Sequence, residues 1–167
     1  MRVCKLILLA GMGMLLSSGL PAQVLATGTF GFPAQSTNPR FANAAASGKL
    51  GISLPPVPHA LVMWNFLGLG YDRQLQQSGA SLETGLEAWI SPVERPVQSH
   101  SPLLLAEVAV GRRWGLGLHG YKAVGAGVGW SLGNWVPYVE YRHRTSFHAG
   151  RPVDNQILIG VHFVLFG

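Results

Sequence analysis

From Ser81 to Ile90 the chain alternates residue by residue. Leu82, Thr84, Leu86, Ala88 and Ile90 take one face, and Ser81, Glu83, Gly85, Glu87 and Trp89 take the other. Strict alternation over this length describes an extended strand with one apolar and one polar side. The texture is β throughout from Ala60 onward: Leu61 to Asp72, Leu103 to Gly111, Trp114 to Gly120, Ala123 to Leu132, Trp135 to Phe147 and Asn155 to Gly167 all read as strands. Only 11% of the residues are Asp, Glu, Lys or Arg, whereas an ordinary soluble domain carries about 25%. At 48% hydrophobic the chain is far from a disordered composition. The longest clean aliphatic run, Leu6 to Leu16, is shorter than the ~20 residues of a spanning helix. Few charges, 22 Gly, alternating strands and no helical span together define an all-β chain, an eight-stranded antiparallel outer-membrane β-barrel. A soluble periplasmic β-domain is the alternative architecture.

The first segment, residues 1–26, has the three-part pattern of a secretory leader. Arg2 and Lys5 precede the apolar run, and Val24-Leu-Ala26 offers small residues for cleavage. Cys4 lies at the start of the apolar run, so a mature chain from Thr27 contains no Cys and no disulfide. Without Arg2 and Lys5, 10 basic and 7 acidic residues remain, so part of the +5 net charge belongs to the leader. No Lys/Arg run, zinc spacing or Gly-Lys-Ser/Thr loop is present, which leaves nucleic-acid and nucleotide binding without support. No cofactor or metal is implied. Residues 27–59, rich in Gly, Pro, Ser, Asn and Ala, read as a mostly irregular lead-in with one short strand at Lys49 to Leu54. Residues 60–167 form the main part of the barrel. With that short strand the count is eight, which suits about 140 residues in strands of roughly ten.

Glu83, Glu87, Glu107, Glu140, Arg142 and Arg144 fall opposite the apolar faces of their strands. An Arg facing lipid costs ~2–4 kcal/mol at the midplane, so these groups point inward and, with Arg113, pair in the lumen. An eight-stranded barrel is narrow enough to be plugged by such side chains. With both termini periplasmic, odd strands run outward; on the strand count above, this puts the loop Pro92 to Pro102 outside and the turn Gly133-Asn134 inside. Trp130 and Trp135 then belong to the inner aromatic girdle. In the last strand Ile157, Ile159, Val161, Phe163 and Leu165 alternate outward.

On the seventh strand Val139, Tyr141, His143 and Thr145 share the lipid face, with His143 and Thr145 near the outer interface. Two residues apart on one face are about 6–7 Å apart at the backbone, which lets an imidazole serve a hydroxyl as general base. Over residues 124–167 the chain resembles the lipid A 3-O-deacylase family of small outer-membrane barrels. The likeness rests on Val124-Gly-Ala-Gly-Val128, on His143-Arg-Thr145 where the family has His-x-Ser, and on Pro152-Val-Asp-Asn-Gln156. The resemblance implies His143 as the base, Thr145 at the nucleophile position with Ser146 beside it, and Asn155 or Gln156 where the family has an acid. The Asn that usually follows the nucleophile is absent, and Asp154 is the nearby acid that a folded-back turn would bring in.

The resemblance implies lipid A in the outer membrane of a Gram-negative bacterium as the partner, and a monomer is expected. The alternative is a non-catalytic barrel with a structural role, or an adhesive one through the loop Pro92 to Pro102. His162 and His119 read as lumen groups, His148 as a solvated loop residue, and the row Gly125, Gly127, Gly129 as relief of crowding inside a narrow wall.

Overall fold

A computed structural model describes residues 24–33, 43–53, 61–74, 77–92, 100–115, 120–147 and 154–166. They form eight strands: β1 (Val24–Pro33), β2 (Asn43–Ser53), β3 (Leu61–Gln74), β4 (Gln77–Ile90), β5 (Pro102–Trp114), β6 (Gly120–Trp130), β7 (Trp135–Ser146) and β8 (Asp154–Phe166). Each pairs antiparallel with its sequence neighbour, and β1 pairs with β8 to close the barrel.

Residues 27–59 are more regular than their composition implies. Instead of one short strand they contain most of β1 and all of β2. Their small inward residues have a packing reason. Thr27 leaves room for His162, whose Nδ1 is 2.6 Å from the Thr27 hydroxyl. Gly51 lies so close to β3 that a Cβ there would stand 3.2 Å from the Asn65 carbonyl oxygen and 3.4 Å from Phe66 Cβ. A second correction concerns the strand expected from Trp114 to Gly120, whose described ends belong to its neighbours: Trp114 closes β5 and Gly120 opens β6. Arg112-Arg113 does not turn the chain. It continues β5 to Trp114, and Gly115 (φ +100°) leaves it. Residues 116–119, including His119, lie outside the described residues, as does His148.

One strand gained at the front and one lost in the middle keep the total at eight, yet they move the long connection. β4 ends and β5 begins at the barrel end that carries Val24 and Phe166, beside the β6–β7 turn, where the Ser131 amide donates to the Ser101 carbonyl at 2.8 Å. The described ends of that connection, Pro92 and residues 100–102, are therefore on the same side as Gly133-Asn134, not opposite it. Gly133 takes φ +75° in that turn, which the Leu132 amide closes onto the Trp135 carbonyl at 2.8 Å.

The expected cleavage after Ala26 falls inside β1. Leu25 is 1% exposed and belongs to the core, while Val24 and Leu25 pair with both β2 and β8. Cleavage after Ala26 would remove these closure residues. We propose that any leader is removed upstream of Val24, which the intact mass of protein purified from membranes checks.

Burial alternates cleanly along β5, from Leu103 to Ala109 inward and from Pro102 to Val110 outward. Outward residues form an apolar wall, with Leu69 66% and Leu50 63% exposed. A continuous apolar exterior of this kind is stable only against lipid. Toward the terminal end, exposed Trp135 packs edge-on against Phe163 with ring centroids 4.5 Å apart.

The lumen is filled. Near the termini, Tyr138 stacks on His162 at 4.1 Å, and Trp89 lies between His162 at 4.7 Å and Trp64 at 5.4 Å. Midway, fully buried Lys49 pairs with Glu87 and Glu107, and Arg142 bridges Glu107 at 2.7 Å and Glu83 at 2.9 Å. Toward the far end Asp72 accepts Arg113 Nε at 2.9 Å, Arg144 at 3.2 Å and Gln156 at 3.3 Å. Glu83, Glu87, Glu107, Glu140, Arg113, Arg142 and Arg144 are all buried inward, as the face argument requires.

Gly125 shows why glycines line one inner face. A Cβ there would come within 2.9 Å of the Glu140 carboxyl carbon, so the glycine vacates the space that Glu140 fills. Gly125→Ala should cost ~1–3 kcal/mol through overpacking. A guanidinium unfolding curve in detergent micelles reads this as a lowered midpoint; an unchanged midpoint means Glu140 moves aside freely.

Candidate active site on the outer wall

His143 lies on the outward face of β7, half-buried, at the end of the barrel away from the termini. Its register partners are Val124 on β6 and Asn155 on β8. The ring Nδ1 is 2.6 Å from Asn155 Oδ1. An amide oxygen only accepts, so this contact assigns the proton to Nδ1 and leaves the Nε2 lone pair as the basic position.

Of the two positions considered for the third group, the structure brings Asn155 to the histidine. Gln156 points inward to Asp72. Asp154 stands opposite Arg144 in the β7–β8 register. Thr145 is half-buried on the His143 side of the alternation, two residues nearer the strand end, and faces Lys122 in register. Ser146, the last residue of β7, takes the alternate face and pairs in register with Tyr121. Tyr141, 49% exposed, continues the outward face toward the membrane centre.

The lumen supports this patch from behind. Arg142 and Arg144 flank His143 in sequence and point inward, to Glu83, Glu107 and Asp72. Asp72 thereby links β3 to β7, and through Gln156 to β8, the two strands that carry His143 and Asn155. Reading the sequence strand by strand missed Asp72 and Lys49 as hubs of this interior, and it missed Lys122 beside Thr145. Lys122 was legible: extending the alternation of β6 by two residues places it on the face of Val124.

The apolar wall, plugged polar lumen and closed antiparallel topology define a small eight-stranded barrel of the Gram-negative outer membrane. No family model matches the chain, and no curated protein matches it in sequence. Among solved structures it is similar to the outer membrane enzyme PagL, with a TM-score of 0.63 at 12% identity over 84% of this chain and 99% of that one. It is also similar to the outer membrane protein Ail of Yersinia pestis (TM-score 0.53, 7% identity, 86% and 99% covered). Neisserial surface protein A follows, with a TM-score of 0.50 at 13% identity over 86% and 96%. At these identities the likeness is one of fold.

Proposed function

We propose that this barrel is an ester hydrolase that removes an acyl chain from lipid A. The observation that carries the reading is the 2.6 Å contact between His143 Nδ1 and Asn155 Oδ1 on the lipid-facing wall. It leaves a basic nitrogen on a strand face that also carries a hydroxyl. The sequence resemblance to lipid A 3-O-deacylases and the fold likeness to an outer-membrane enzyme point the same way.

In this reading the Thr145 oxygen bonds to the acyl carbonyl carbon while its proton passes to His143 Nε2. The ester bond to the sugar then breaks, and the imidazolium returns the proton to the departing alkoxide. Water, deprotonated by the same ring, cleaves the acyl–Thr145 ester and restores the hydroxyl. Asn155 holds the ring in its Nδ1–H tautomer, the service an amide performs in Cys-His-Asn hydrolases. Ser146 is the second hydroxyl within the segment.

A non-catalytic barrel is the competing reading, favoured by one feature: an amide stands where a carboxylate would stabilise the imidazolium. Its adhesive form relied on an external loop at 92–102, and the described ends of that connection lie at the terminal end. Mass spectrometry of lipid A from expressing cells separates the readings. Loss of one hydroxyacyl chain with the intact protein, but not with His143→Ala, is expected. Unchanged lipid A, with the barrel folded in the outer membrane, selects the non-catalytic one.

A further inference from the structure

Every acid whose side chain is described is buried inside the barrel: Asp72, Glu83, Glu87, Glu107 and Glu140. Two of the described cations do the opposite. Arg112 on β5 and Lys122 on β6 are exposed on the outward face, where no described acid accompanies them. Cations on a lipid-facing wall are costly at the membrane midplane and nearly free at its border, so their depth is informative.

Lys122 and Trp130 lie eight residues apart on the outward face of β6. That is about 27 Å along a strand, or about 21 Å across a membrane at the usual barrel tilt. Trp130 and Lys122 therefore mark opposite borders of the apolar band, and Lys122 sits at the border away from the termini. Arg112, two residues from the end of β5, lies at the same level, its guanidinium carbon 5.8 Å from the Trp114 ring centroid. Lys122 faces Thr145 in register, which makes it the diagonal neighbour of His143, about 7–8 Å away. His143 faces Val124, two residues deeper toward the hydrocarbon.

We infer that Arg112 and Lys122 form a recognition site for the phosphate of a phosphorylated acyl-glycolipid in the outer leaflet, seated so that an ester just below the headgroup meets His143. A phosphomonoester carries close to two negative charges and takes charge-assisted hydrogen bonds from Arg and Lys. Arg112 and Lys122 supply that complement at headgroup level, and Val124, Ala126 and Val128 continue the face downward as an acyl track. The choice of an ester substrate rests on the hydrolase reading above; the phosphate contact does not.

The test uses the full barrel folded in detergent micelles, carrying His143→Ala to prevent turnover. A phosphorylated diacyl-glucosamine and the same lipid without phosphate are each titrated and followed by native mass spectrometry. The phosphorylated lipid should bind about fivefold tighter for each cation engaged. The preference should vanish in Arg112→Gln/Lys122→Gln and persist in Arg112→Lys, with heat-modifiable gel migration unchanged in all three. Equal binding of the two lipids overturns the inference, as does a preference that survives the double glutamine variant. Full displacement by millimolar inorganic phosphate also overturns the lipid assignment, marking a free-anion site. Phosphate-dependent binding without deacylation by the unmodified protein keeps this inference and removes the hydrolase. Deacylation indifferent to phosphate does the reverse.

Discussion

Asn155→Asp should accelerate deacylation by about 10²-fold. The gain is smaller than the ~10⁴-fold that an amide costs a Ser-His-Asp site, because that larger loss comes from a wrong tautomer, which the Asn155 Oδ1 contact avoids. The geometry for the gain is in place: Asn155 Oδ1 already lies 2.6 Å from His143 Nδ1, and Asp has nearly the same shape. A carboxylate would keep the Nδ1–H tautomer and add stabilisation of the imidazolium formed when the hydroxyl attacks. His143→Ala should abolish the reaction, Thr145→Ala should do nearly the same, and Ser146→Ala should leave most of it. Single-turnover release of fatty acid from a micellar acyl-glucosamine measures all four variants. An inert Asn155→Asp together with an active His143→Ala would show that any hydrolysis arises elsewhere. Rapid loss in Ser146→Ala with an active Thr145→Ala would move the nucleophile by one residue.

Lys49→Met should destabilise the barrel by ~3–5 kcal/mol, the cost of removing one partner from a buried ion pair. Lys49 is 2% exposed, and its ammonium lies between Glu87 and Glu107 and 4.5 Å from the Phe66 ring centroid. Deleting that charge leaves Arg142 as the cation nearest Glu107, at 2.7 Å, and leaves Glu87 with the Trp89 indole N–H, at 2.5 Å. Lys49→Met/Glu107→Gln should recover a good part of the loss, because the pair is then removed from both sides. Guanidinium midpoints in micelles report both variants. A single variant as stable as the parent would mean that water enters the lumen and solvates the two carboxylates.

Inward and outward faces were legible in the sequence for a simple reason. In lipid a charge must hide, so Glu83, Glu87, Glu107, Glu140, Arg142 and Arg144 each identify the lumen side of their strand. The outward position of His143 follows from its neighbours Arg142 and Arg144, and the structure agrees. Of the strands before Ala60 only the end of β2, at Lys49, was legible, because a narrow lumen that must hold His162, Phe66 and Lys49 demands Thr, Ala and Gly beside them. Those same residues, read along a line, describe a loop. The Arg112-Arg113 pair misled for a related reason: two adjacent charges suggest a turn, yet in a strand they face opposite ways, one to Asp72 and one to the membrane border.

By itself, then, the sequence determined the class of protein, the sidedness of most strands and the residue types at the candidate site, since each follows from what lipid excludes. Pairing was decided by closure. Asn155 meets His143 because β8 lies in one register against β7, and Lys49 meets Glu107, 58 residues away, because the barrel is only wide enough for side chains to meet across it. Such partners are set by distance through space, which a pattern along the chain does not carry.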